Sequence, residues 1–194
     1  MSTDAARITD TLVLALDRAR ELASGLLLVG YGVITVHDQF GRLKDAQPFT
    51  NLITDAGDLY YAGKAIAAIA PANPAAPTAA TGMKLGTGTT AAAKAGAGGA
   101  LVTYLTASNI AFDATYPQTA NLGAGLGVNA VYKTTWAAGV ATNAAITEAV
   151  IDNDSATNAT STAANTYSRV VFTAVNKGAS DTLAITWNHK MLGA

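Results

Sequence analysis

The stretch VNAVYKTTWAA, residues 128–138, places Val128, Ala130, Tyr132, Thr134 and Trp136 at every second position. An extended chain puts all five on one side, so the stretch reads as a strand with one face in a core. TLAITWN, residues 182–188, repeats the pattern with Leu183, Ile185 and Trp187. Runs of the same character, separated by Gly, Asn, Asp and Ser clusters, predict strands at 83–86, 101–107, 128–138, 145–151, 167–175 and 182–188. The second half of the chain is therefore expected to be a β domain. Its AAAKAGAGGA and NLGAGLG segments (residues 91–100 and 121–127) are expected to be surface loops, or loops ordered by another subunit.

Upstream of this region the period changes. Ile8, Leu12, Ala15, Leu16, Ala19 and Leu22 recur at spacings of three and four, which predicts a helix over 3–23 with one apolar stripe. Such a stripe must bury against the rest of this chain, another copy or another protein, so the helix is either core or an attachment element. LLLVGYGVITV, residues 26–36, predicts a buried strand; it is shorter than the ~18–20 residues a membrane helix needs and is interrupted by Gly30 and Gly32. The polar HDQFGRLKDAQP that follows predicts a hairpin or loop stopped by Pro48. Asn51 is placed to cap a second helix through residues 52–70, with Ile53, Ala56, Tyr60, Lys64 and Ala67 on one face. PANPAAP, residues 71–77, can sustain neither a helix nor a full ladder, because each Pro lacks an amide hydrogen. The expected organisation is a helical region with one strand over 1–70, a Pro/Ala-rich linker over 71–82 and a β domain over 83–194.

Composition narrows the function. Only 13% of the 194 residues are charged, and 12 basic against 13 acidic residues leave a net charge of -1, so nothing favours a nucleic-acid or anionic-membrane partner. The same neutrality offers little repulsion between copies. Cys is absent, which excludes disulfides, thiolate metal sites and a thiol nucleophile. Asp4, Asp10, Asp17 and Glu21 interrupt any basic start before an apolar run, so folding in the cytoplasm is expected.

No motif completes a catalytic or cofactor set. Gly86-Thr87-Gly88-Thr89-Thr90 lacks the third Gly of a dinucleotide loop and the Gly-Lys-Ser/Thr of a P-loop, and reads as a turn or bulge. His37 and His189 are the two histidines, with no second ligand at metal spacing; His189, at a strand end, is expected on the surface. Asp152-Asn153-Asp154-Ser155 fails the EF-hand pattern at Thr157 and Ala163 and reads as an Asx turn. Glu21 and Glu148 are the only glutamates, which supports no paired-carboxylate site. Trp136 and Trp187 are expected as core anchors, the rival reading being a sugar-stacking platform. Asn158-Ala159-Thr160 is a sequon without a secretory context. No catalytic, cofactor-binding or metal residue is therefore assigned.

Four segments in order, NLITDAGDLYYA, MKLGTGTTAAA, VYKTTWAAGVATNAAITEAVI and YSRVVFTAVNKGASDTLAITWNHK, resemble a recurring family of tailed-bacteriophage virion proteins over residues 51–190. The most distinctive piece is the final hairpin, with Ser168, Arg169, Phe172, Lys177, Asp181, Thr182, Leu183 and Trp187; ITEA (146–149) and the run from Trp136 to Gly139 belong to the same likeness. Family members often continue after ITEA with small or apolar residues, whereas this chain has VIDND and a Ser/Thr/Asn/Ala-rich loop up to Asn165. The resemblance implies a non-enzymatic virion component of tail, baseplate, collar or capsid decoration, contacting other virion proteins and forming a homo-oligomer, with a trimer favoured. The expected fold is mainly β, an antiparallel sandwich of jelly-roll or Ig-like kind with an N-terminal helical region; the alternative is a compact α+β fold. The rival functions are a carbohydrate- or receptor-binding module of a tail fibre, which needs both indoles exposed on one concave face, and a small hydrolase. The latter needs a histidine bonded to both a hydroxyl and a carboxylate.

Overall fold

A computed structural model describes residues 26–66, 77–154 and 161–193; the helix expected over 3–23, the sequon and most of the PANPAAP stretch lie outside them. Among the described residues there are nine strands and one α-helix: β1 (Leu26–His37), β2 (Leu43–Ile53), α1 (Asp55–Ile66), β3 (Gly82–Gly86), β4 (Ile110–Ala111), β5 (Gln118–Asn121), β6 (Val128–Trp136), β7 (Asn143–Asp152), β8 (Thr166–Lys177) and β9 (Thr182–Gly193). Every pairing is antiparallel, and the order across the sheet is β4-β3-β7-β8-β2-β1-β9-β6-β5. The chain is mainly β, as expected.

The sheet curls about a narrow waist. β2 meets β8 only through Leu52 with Arg169 and Ile53 with Ser168. Past the waist the two halves face a common core, in which Ile34, Val36, Tyr132, Trp136, Leu183, Ile185 and Trp187 of one half pack with Met83, Leu85, Ile146, Ile151, Tyr167 and Val175 of the other. Asp113 joins the far ends of the curl. The segment that follows β4 bonds across to β6, the Asp113 amide donating to the Lys133 carbonyl (2.9 Å). The Asp113 carboxylate in turn accepts from the Thr135 amide (2.9 Å) and hydroxyl (2.7 Å).

Several expectations are corrected. β1 and β2 lie in the middle of the sheet, so residues before and after the Pro/Ala-rich stretch build one core instead of a helical region and a separate β domain. The hairpin expected after β1 is present, but its second arm continues as a strand through Pro48, which pairs with Val33. A strand tolerates Pro where one side is unpaired, and β2 is free of β8 at that position. The second helix begins at Asp55, not after Asn51, because Asn51 is held in β2 opposite Gly30; Thr54 is the cap, its hydroxyl accepting from the Gly57 amide (3.1 Å). The strand expected over 101–107 is reduced to one bridge between Tyr104 and Gly86. Short strands β4 and β5 were not foreseen.

Candidate functional site

The sequence motifs converge on three buried polar groupings. At the first, Glu148 of β7 and Arg169 of β8 lie fully buried side by side, the guanidinium donating to the carboxylate from Nη2 (2.8 Å) and Nε (3.1 Å). The carboxylate also accepts the amides of Gly88 (2.9 Å), Thr103 (2.8 Å) and Val102 (3.1 Å). Arg169 reaches the carbonyls of Thr90 (2.8 Å) and Gly98 (3.2 Å). The Gly-Thr-Gly loop thus offers its amide to a carboxylate of its own chain. A Cβ at Gly88 would lie 2.4 Å from Glu148 Oε1, so the close approach requires glycine there. The AAAKAGAGGA segment is held by contacts within the chain, the Arg169 bond to the Gly98 carbonyl and the Lys94–Asp58 ion pair.

The second grouping is a continuous hydrogen-bond chain. Trp187 Nε1 donates to Asn51 Oδ1 (2.7 Å), and Asn51 Nδ2 donates to Ser168 Oγ (2.6 Å). Ser168 Oγ and His189 Nε2 share a hydrogen bond of 2.7 Å. The other ring nitrogen, Nδ1, shares one of 2.6 Å with Tyr61 Oη, which is bonded in turn to Tyr132 Oη (2.8 Å). His189 is fully buried, which corrects the surface position expected for it, and burial drives its pKa down to about 3. Burial likewise raises Tyr132 to about 12 and Tyr61 further, so every member stays neutral. Gly30 makes room for this chain: a Cβ there would stand 2.1 Å from Asn51 Oδ1.

A serine hydroxyl on an imidazole is half of a nucleophilic dyad. The other half is missing, because the far nitrogen faces the Tyr61 hydroxyl where a hydrolase places a carboxylate, and Ser168 has no exposed surface. Both indoles are buried too, Trp136 giving its Nε1 proton to the Ser108 carbonyl (2.8 Å), so neither forms a sugar platform.

The third grouping is Lys84 of β3 with Asp152 (2.9 Å) at the end of β7 and Asp154 (2.9 Å) just beyond it. The fully buried ion pair of Asp152 with Lys84 had no signal in the sequence. Desolvation, reinforced by Asp154, raises the Asp152 pKa to about 6 against the pull of Lys84. At the opposite end of the strands, Asp181 accepts from the Gly178 amide (2.8 Å) and the Lys44 ammonium, while Lys177 donates to the Ala137 carbonyl (2.9 Å). His37 sits half-buried at the end of β1 opposite Thr182.

One cleft of about 510 Å³ opens beside the second grouping, lined by Leu28 and Val29 of β1, Thr50, Asn51 and Leu52 of β2, and the Asp58–Lys94 pair. Among the described residues no group of His, Asp or Glu is arranged to hold a metal ion, and no helix is long and apolar enough to cross a membrane. The sequence singles out Ser168, Arg169, Lys177 and Asp181 only through the resemblance, whereas Trp187 also follows from strand alternation and Glu148 from the scarcity of glutamate. It missed Tyr61, Lys84 and the bonding role of Asn51, because the partners of each are distant in sequence. Comparison with known proteins finds no match among family models, curated proteins or solved structures.

Proposed function

We propose that this chain is a non-enzymatic structural subunit of a tailed-bacteriophage virion, made in the host cytoplasm and assembled on the particle exterior as a tail, baseplate, collar or decoration component. The observation that carries this reading is where the resemblance residues lie: Glu148, Ser168, Arg169, Lys177, Asp181 and Trp187 all belong to buried polar groupings that hold strands and loops together. A likeness made of such residues is a likeness of framework, as expected of subunits whose task is shape and contact. The curled sheet, two halves facing one core, is read here as a sandwich of the jelly-roll or Ig-like kind. Homo-oligomerisation, with the trimer favoured, accords with a net charge of -1. The rival receptor- or sugar-binding module loses the two indoles it would have used.

The test is to purify intact particles from infected cells and locate a tagged copy of the chain by electron microscopy. Regular density at multiple symmetry-related positions is expected. A chain that stays in the lysate while particles assemble without it would overturn the reading.

A further inference from the structure

We infer that Lys84 and Asp152 are the two halves of an intramolecular isopeptide bond, closed by the folded chain itself with Asp154 as proton carrier. Lys84 is on β3, and Asp152 ends β7, the strand that pairs with it. Gly82 stands opposite Asp152 in that ladder, so Lys84, two positions on, shares its face of the sheet and lies diagonal to it. The ammonium spans the diagonal and stops 2.9 Å from Asp152 Oδ2 and 2.9 Å from Asp154 Oδ1. Lys84 and Asp152 have no exposed side-chain surface. A buried ion pair is ordinarily secured by further hydrogen bonds to its carboxylate. Here neither Asp152 oxygen accepts a hydrogen bond of regular geometry among the described residues. Two carboxylates also face one ammonium, an excess of negative charge in a dry site, and desolvation answers it by raising the Asp152 pKa to about 6. The neutral carboxyl so favoured is the form an amine can attack.

The step balances without a cofactor. Asp154 takes a proton from Lys84 Nζ, the freed lone pair attacks Asp152 Cγ, and the C–N bond forms as a C–O bond breaks with its electron pair on oxygen. Two of the three ammonium protons leave on that oxygen as water, the first carried by Asp154, and the third stays on the amide nitrogen. Counted from the ion pair, ammonium and carboxylate become amide and water, and Asp154 ends as it began. Asn165 Nδ2 holds Asp154 Oδ2 (3.1 Å), which leaves Oδ1 to accept from the amine. Contact between the reacting groups supplies the advantage of an intramolecular reaction, and burial keeps out the water that would reverse it. The two carboxylates also hold the ammonium proton, so free amine is scarce and closure is slow beside folding. Freshly made protein therefore still carries a titrating Asp152. In a chain without Cys, the amide is the covalent staple between strands. It ties β3, whose other ladder is the two-residue β4, to β7 and closes the chain between them into a ring, as a disulfide would. The bond is independent of any role in a particle.

The full chain, kept folded at pH 6 over days and then denatured, should lose the mass of one water. Trypsin should then skip Lys84 and release residues 65–94 joined to residues 134–169 as one branched peptide. Lys84→Arg should keep its full sequence mass throughout. Asp154→Asn should close roughly a hundredfold more slowly, with an unchanged circular dichroism spectrum. Full sequence mass in the wild type after a week of folded incubation would overturn the inference, as would a loss of water without the branched peptide, the signature of an imide at an aspartate. Closure at an undiminished rate in Asp154→Asn would remove Asp154 from the step.

Discussion

His189 and Asp152 are buried groups whose folded-state pKa values have moved in opposite senses, and their effects on stability oppose each other. His189 falls from 6.5 to about 3, so its neutral burial contributes stability in full above pH 6.5 and loses it as the pH falls towards 3. Asp152 rises from 3.8 to about 6, so the folded state takes up its proton first, and stability is gained as the pH falls from 6 to 4. Each slope is about 1.4 kcal/mol per pH unit, and across pH 4–6 they cancel. Urea titrations of the wild type should therefore give nearly constant stability in that window. His189→Gln should become more stable on acidification relative to its own value at pH 6, and Asp152→Asn should become less stable. Parallel pH profiles for all three proteins would show that these two groups do not govern the response.

At the scale of elements, the Glu148–Arg169 pair fastens the long segment between β3 and β4 to the β7–β8 hairpin. That segment has few ladder bonds of its own, and it delivers the amides of Gly88, Val102 and Thr103 to one carboxylate. Glu148→Ala leaves a buried guanidinium unpaired and three amides without their acceptor, which should cost about 3–5 kcal/mol in chemical denaturation. Hydrogen exchange should localise the damage, with Gly88, Val102 and Thr103 losing protection while the β1–β9 ladder keeps its own. Exchange that rises equally across the sheet would mean that the pair supports the whole core and not this loop. The strand expected over 101–107 illustrates why local pattern failed here: its amides are spent on a side chain 45 residues away, and nothing in its own sequence announces that partner.

For the whole molecule, the order of strands makes residues 83–194 insufficient. β8 and β9 are separated in the sheet by β2 and β1, which precede the Pro/Ala-rich stretch. A fragment of residues 83–194 should therefore show no cooperative thermal transition, and coexpression with residues 1–82 should restore it. A cooperative transition in the isolated fragment would restore the two-part organisation that the change of sequence period suggested.

Alternation in β6 and β9 placed Tyr132, Thr134, Trp136, Leu183, Ile185 and Trp187 in the core, whereas at the start of β6 the same face leaves the core, with Val128 exposed and Ala130 half-buried. The sequence by itself therefore determined the mainly-β class, several strands and the inward faces, because a period of two is a local consequence of extended backbone geometry. Only the tertiary structure decided that β2 runs through Pro48, that His189 is buried and neutral, and that Glu148, Lys84 and Asn51 find their partners. Those outcomes depend on contacts between residues far apart in the chain, and the free energy of a buried polar group is set by the partner it meets, which no local pattern specifies.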